Sequence, residues 1–351
     1  MTKTNPGNFF EDFRLGQEIR HATPRTVGAG DVALYTALTG SRFALQSADS
    51  FAQSLGLEEA PVDDLLVFHI VFGKTVPDVS LNAVANLGYA GGRFGVPVHV
   101  GDTLSTKSTV IGLKENSNRQ TGTVYVRSVG TNQKGEVVLD YCRWVMVRKR
   151  DPEALITESK VPELPESVAV KDLSVPVHLN LDDYDTVQAG SPYLWDDYKA
   201  GEKIDHVDGM TIEEAEHAMA TRLYQNTAKV HFNQHTESQG RFGKRLIYGG
   251  HIISLARALS FNGLANAIRI AAINGGRHVA PTFAGDTIYA WSEVLEVKPL
   301  TARHDVGALR LRTFASKDKP CAEFPGIGAD GKHDAAVVLE LDYWVLMPRR
   351  G

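Results

Sequence analysis

The sequence predicts an α+β protein made of two matching units, each a buried helix followed by a run of antiparallel strands. Three observations predict it. The chain is written twice, each copy holds one strongly apolar helix, and each copy then alternates apolar and polar residues between Gly-Asp turns. A length of 351 residues suits two domains of middling size better than one core. With 43% hydrophobic and 23% charged residues, the composition allows a sizeable core.

The duplication is read from three pairs of segments. EDFRLGQEIRH (11–21) matches DDYKAGEKIDH (196–206) without a gap, pairing Gly16 with Gly201, Ile19 with Ile204 and His21 with His206. GGRFGVPVHVGDT (91–103) matches GGRHVAPTFAGDT (275–287), and VVLDYCRWVMVRKR (137–150) matches VVLELDYWVLMPRR (337–350). Three blocks in one order, at nearly constant separation, mark a tandem repeat. The units are placed at 1–150 and 191–351. Between them, 151–190 is rich in Pro, Glu, Ser and Asp and weakly periodic, so it reads as an extended linker over the surface. Its Val and Leu residues predict that it packs against something.

In the first unit a helix opens within TVGAGDVALYTALTG (26–40), and DLLVFHIVFGKTV (64–76) is apolar on most of both faces, as a buried helix is. GYAGGRFG (88–95) is a weak phosphate-loop lookalike; because its counterpart recurs before a strand, it is expected to be a turn leading into a sheet. GDTLSTKSTVIGL and the pair flanking Asn132-Gln133-Lys134-Gly135 alternate as strands, with those four residues as the hairpin turn. In the second unit Thr211, with Glu214 three residues on, forms a capping box that starts a helix. GGHIISLARALSFNGLANA (249–267) is the second buried helix, and GDTIYAWSEVLEV, GALRLRTFAS and AAVVLELDYWVLM are the strands after it.

The bulk properties exclude several classes. A net charge of -5 argues against nucleic acid as a partner, because phosphate binding wants a basic surface. No run approaches the roughly 18 apolar residues needed to cross a bilayer. MTKTNPGNFFEDF lacks the apolar core of a signal peptide. The two cysteines, Cys142 and Cys321, supply neither a disulfide framework nor a thiolate zinc site. The expectation is a soluble cytoplasmic protein.

Helix first and strands after, twice over, resembles the double hotdog of the MaoC-like dehydratase family. There a curved antiparallel sheet wraps a long central helix, and two units pair into one larger sheet. The family's R-specific enoyl-CoA hydratases carry the motif (Ser/Thr)-Gly-Asp-x-Asn-Pro-(Ile/Leu)-His-x-Asp after the first helix. Here the first copy reads TGSRFALQSADSFA (39–52), with Ser41 at the aspartate position and Gln46 at the histidine. The second reads YQNTAKVHFN (224–233), with Asn226 at the aspartate and His231 at the histidine. Within the family, RLYQNTAKVHFN and IYGGHIISLARALSFNGL resemble members that act on a short branched dicarboxyl acyl thioester. The resemblance implies reversible hydration of a 2-enoyl-CoA thioester by the C-terminal unit, with the N-terminal unit degenerate. It also implies an acyl-CoA substrate, no separate cofactor and a homo-oligomer.

That chemistry needs an activated water, a proton for the α-carbon and a donor for the enolate oxygen. Histidine is the side chain poised to move protons near neutral pH, so His231 is the expected acid/base. Asn226, five residues earlier, is expected to hold the water, but it cannot take a proton. Glu216 and Glu237 are the nearby carboxylates that could fill the missing role. Gly249-Gly250, directly after Tyr248, opens the long helix, where unpaired N–H groups and positive partial charge suit an oxyanion. By resemblance the amide near Gly250 polarises the carbonyl. In the first copy Asp64-Leu65 stands there, and a carboxylate would repel such an oxygen. Arg241, Lys244 and Arg245 in GRFGKRL (240–246) are candidates for the coenzyme A phosphates, with a solvated basic loop as the alternative.

Other readings remain at this level. His231, His235 and His251 could share a metal, yet no HExxH and no completing carboxylate accompany them, and no metal site is expected. A plain short-chain enoyl-CoA hydratase fits the same motif. A thioesterase on this fold typically needs a carboxylate where Asn226 stands, and an acyl-CoA-binding module without catalysis would explain the missing aspartates.

Overall fold

A computed structural model describes residues 3–301 and 303–350. The first unit runs β1 (Glu18–Thr26), α1 (Ala29–Thr39), α2 (Asp64–Thr75), β2 (Ala83–Phe94), β3 (Thr103–Glu115), β4 (Thr121–Thr131) and β5 (Val137–Arg148). The second runs β6 (Lys203–Thr211), α3 (Glu214–Leu223), α4 (Lys229–Phe232), α5 (Gly249–Leu259), β7 (Arg269–His278), β8 (Thr287–Pro299), β9 (Val306–Lys317) and β10 (Val337–Pro348). All the strands lie in one sheet of order β1-β3-β4-β5-β2-β7-β10-β9-β8-β6. Its two five-stranded halves meet at the antiparallel pair β2 and β7, with Tyr89 opposite Gly276 and Gly92 opposite Ile273.

This seam corrects the expected turn at 88–95. All of GYAGGRFG but its last residue, Gly95, lies within β2, where Gly88 and Gly92 serve close packing rather than reversal of the chain. A Cβ at Gly88 would stand 2.4 Å from the Trp144 ring, and one at Gly92 would stand 3.1 Å from the Ile273 carbonyl oxygen. The duplicated segments 11–21 and 196–206 run into the edge strands β1 and β6. Each is pinned by its repeated histidine. His21 reaches Ser108 through Nε2 at 2.7 Å, and His206 reaches Ser292 at 2.8 Å.

Two helix boundaries also differ from expectation. Thr211 ends β6, paired with Thr287 across the sheet, and α3 starts at Glu214, where the Glu216 carboxylate accepts the Glu213 N–H at 3.3 Å. The 249–267 helix stops at Leu259, because Asn262 and Gly263 leave helical geometry, with φ of 102° at Gly263. Both central helices are otherwise as apolar as their sequences require. Leu65, Phe68, Phe72, Ile252, Ile253 and Leu255 belong to one core shared by the two units. The helices meet at repeat-equivalent residues, where His69 Nε2 lies 2.7 Å from Ser254 Oγ. The linker 151–190 buries Val168, Leu179 and Leu181 in a second core with Phe51 and Trp344, and the Trp344 indole N–H donates to the Val168 carbonyl at 3.0 Å.

Candidate active site

A cavity of about 300 Å³ opens between the units. The second unit supplies Asn226, His231, Tyr248, Gly249 and His278 to its wall. The first supplies Phe72 of α2, Ser80, Asn86 and Tyr89 of β2, and Arg143 of β5.

His231 stands on α4, a single turn that follows α3 after a short loop. Its Nδ1 lies 2.9 Å from the Leu246 carbonyl oxygen. A carbonyl only accepts, so Nδ1 carries the proton and the Nε2 lone pair remains free. Burial pushes the pKa of His231 down to about 4, only partly opposed by that carbonyl contact. The ring is therefore neutral at pH 7. Asn226 is buried, and its Oδ1 accepts the Ala228 N–H at 3.2 Å. With the oxygen so engaged, its amide N–H groups are the ones left for a ligand.

Tyr248 caps α5 and packs its ring 5.6 Å from that of His231. Its backbone N–H donates to His217 Nε2 at 2.9 Å. His217 must therefore be neutral, and burial takes its pKa down to about 3. Gly249 and Gly250 follow, and their N–H groups take no acceptor from the described residues. Gly249 lines the cavity, whereas Gly250 lies behind it under the Tyr248 ring. A Cβ on Gly249 would meet the His278 ring at 2.5 Å, so only glycine leaves this helix end open.

The other sequence candidates are placed less uniformly. Arg241 and Lys244 are exposed, stacked over Phe242 and Phe283 at 5.0 and 4.3 Å. Phe242 lines the cavity, so this loop borders its mouth. Arg245 is turned away, in an ion pair with Glu214. Neither Glu216 nor Glu237 lines the cavity, and Glu216 instead pairs with His251 at 2.7 Å. His235 is exposed, whereas His251 is buried. Among the described residues, no group of three His, Cys, Asp or Glu is arranged to hold a metal ion.

The equivalent region of the first unit is closed. Gln46, at the position of His231, spends its amide on the Ile268 carbonyl at 2.7 Å. Asp64 stands where Gly249 does, accepting the Ile270 N–H at 3.0 Å and facing Arg269 at 3.2 Å. Burial raises its pKa to about 6 against the pull of Arg269. Phe43 is buried beside it, with the Arg257 guanidinium 3.5 Å over its ring and Phe261 at 5.5 Å.

A family model described as mesaconyl-CoA hydratase matches residues 1–326. The chain belongs to the mesaconyl-CoA hydratase family. It is 70% identical over 349 residues to the β-methylmalyl-CoA dehydratase of Chloroflexus aurantiacus, covering 99% of both chains. It is 61% identical over 347 residues to the mesaconyl-CoA hydratase of Cereibacter sphaeroides, covering 99% of this chain and 100% of the other. A solved structure from Chloroflexus aurantiacus, described as a MaoC domain protein dehydratase, superposes with a TM-score of 0.98 at 70% identity over the full length of both chains. A Mycobacterium tuberculosis protein described as a double hotdog aligns over 98% of this chain and 99% of its own at a TM-score of 0.76 and 23% identity, which fixes the fold.

Two wall residues of this member of the mesaconyl-CoA hydratase family escaped the motif reading. His278 stands where the first copy has Phe94, and Arg143 stands where the second has Tyr343. The signal was present in the aligned blocks as a departure between copies. The motif frame covers only 224–233 and could not flag either.

Proposed function

We propose that this protein hydrates mesaconyl-CoA to β-methylmalyl-CoA and catalyses the reverse dehydration. The supporting observation is the pairing of a neutral, tautomer-fixed His231 with an open helix N-terminus at Gly249 in one wall. The names of the relatives supply the acyl group.

Water held by the Asn226 amide N–H loses a proton to His231 Nε2 as its oxygen bonds to the β-carbon. The double-bond electrons move to the thioester oxygen, where the first-turn N–H groups of α5 meet the developing charge. The imidazolium then returns the proton to the α-carbon, so one histidine serves both steps and the atoms of water are fully accounted for. Coenzyme A enters past the 240–246 loop, where Arg241 and Lys244 lie free for its phosphates. A soluble homo-oligomer in the cytoplasm belongs to the same reading, and light scattering gives the number of copies.

The test follows the enoyl thioester absorbance with mesaconyl-CoA. Rapid loss is expected, and His231→Ala should lower kcat by roughly 10²–10⁴-fold with an unchanged melting curve. Near-normal turnover by that variant would remove His231 from the mechanism. Release of free thiol without hydration would instead favour a thioesterase, a reading weakened by the lack of any Asp or Glu among the cavity-lining residues.

A further inference from the structure

Arg143 is a cation without an anion. It is 1% exposed, on a strand of the non-catalytic unit, and it lines the cavity. Its guanidinium lies 4.2 Å over the Phe72 ring. Nη2 donates to Thr75 Oγ1 at 2.6 Å and to Ser80 Oγ at 3.3 Å, whereas Nε and Nη1 are buried with no acceptor. Among the described residues the titratable groups that bear on it are the hydroxyls of Tyr141, Tyr89 and Tyr248, and none is a carboxylate. Burying a charge this way is unfavourable unless a partner of opposite sign arrives.

The other copy of the repeat has no arginine at this place. The repeat-equivalent residue is Tyr343, whose hydroxyl is satisfied by Thr313 Oγ1 at 3.0 Å. Other unmet polar groups share the cavity wall with Arg143. Both side-chain polar atoms of Asn86 and the Tyr248 hydroxyl are buried without partners. The cavity wall thus holds a patch of unmet polar groups around a guanidinium whose Nε–H and Nη1–H are unspent donors, and charged donors of this kind suit a carboxylate.

We propose that Arg143, assisted by Asn86 and Tyr248, receives the free carboxylate of the acyl group and so sets the preference for a dicarboxyl thioester. This rests on the hydratase reading above. In a methylfumaryl thioester the free carboxylate is attached to the β-carbon, the atom that water attacks. Tyr248 packs against His231 on one side and Phe72 on the other, at 5.6 Å in each case, and Phe72 carries the guanidinium. A carboxylate clamped there fixes the β-carbon over the base. It also draws negative charge away from the carbon that must accept the water oxygen.

The test compares mesaconyl-CoA with tiglyl-CoA, which carries a methyl group in place of the carboxylate and is otherwise the same acyl skeleton. Wild-type protein should prefer mesaconyl-CoA by roughly 10³-fold in kcat/KM. Arg143→Met should erase most of that preference, losing activity on mesaconyl-CoA while leaving tiglyl-CoA within about threefold. Arg143→Lys keeps the charge without the planar guanidinium and should fall between. Should the Met variant fail to fold, Arg143→Tyr installs the residue of the other copy and is read in the same way. Equal losses on both substrates, or no loss on either, would overturn the assignment. If wild-type protein hydrates tiglyl-CoA but not mesaconyl-CoA, the dicarboxyl reading itself fails and takes this inference with it.

Discussion

Two contacts act together on His231, the base of the proposed mechanism. The Leu246 carbonyl holds the proton on Nδ1, and the apolar surround disfavours the imidazolium, so the ring stays neutral with Nε2 bare. A base whose pKa lies at about 4 rather than the ordinary value near 6.5 stays competent as pH falls, until its own pKa is reached. In brief assays, log kcat/KM should therefore be level from neutral pH to about pH 5 and decline as pH falls through about 4. An acid limb centred near 6.5 would mean that the imidazole is solvated in the free enzyme. Asn226 marks the other side of the same design. It offers hydrogen-bond donors and no proton acceptor, which in the proposed mechanism leaves His231 to carry the proton out and back.

At the scale of elements, the two central helices show one feature used in opposite ways. At α2 the first turn is occupied by the chain itself: Asp63 accepts the Leu65 N–H at 2.8 Å, and Asp64 is held by Arg269 and the Ile270 N–H. At α5 the same turn is Gly249-Gly250, with no side chain to fill it. Helix ends carry unpaired N–H groups in either case, so what differs is whether an internal carboxylate already satisfies them. Gly249→Ala should lower kcat by about 10²-fold, because the added Cβ meets the His278 ring and pushes the oxyanion away from its donors. Normal kcat in that variant would place the thioester oxygen elsewhere. The edge strands follow similar logic, since His206 joins the Asn262 carbonyl at 2.7 Å to Ser292 and thereby ties β6 to both the helix end and β8.

At the scale of the molecule, several histidines are buried in their neutral form, and this makes stability depend on pH. Burial lowers the pKa of His206 and His278 to about 4 and that of His217 to about 3. Between about 4 and the unfolded value near 6.5, the unfolded chain binds more protons than the native one. Stability is thus complete above pH 6.5 and is lost as pH falls through that window, by roughly 3 kcal/mol for a fully buried group such as His206. The melting temperature should decline steeply from pH 6.5 to 4, and His206→Gln should flatten part of the slope even if it lowers the plateau. A Tm that does not change over this range would show that these rings are hydrated.

The duplication, the two apolar helices and the histidine frame could all be read along the chain, because each is a local pattern of spacing or period. Departures between the copies were legible too, at Gln46 against His231, Asp64 against Gly249, Phe94 against His278 and Tyr343 against Arg143. The glycine-rich stretch at 88–95 is ambiguous along the chain because glycine in a strand and glycine in a turn look alike until the partner is known; here the partners are the Trp144 ring and the strand β7. The sequence by itself determined that there are two hotdog-like units and that one of them keeps a histidine in the motif frame. Only the tertiary structure decided that the other unit forms the opposite wall of the site and leaves Arg143 there without an anion. Spacing within a segment is written in its residues, whereas the meeting of α4, α5, β2 and β5 around one cavity arises from packing two halves across a shared sheet.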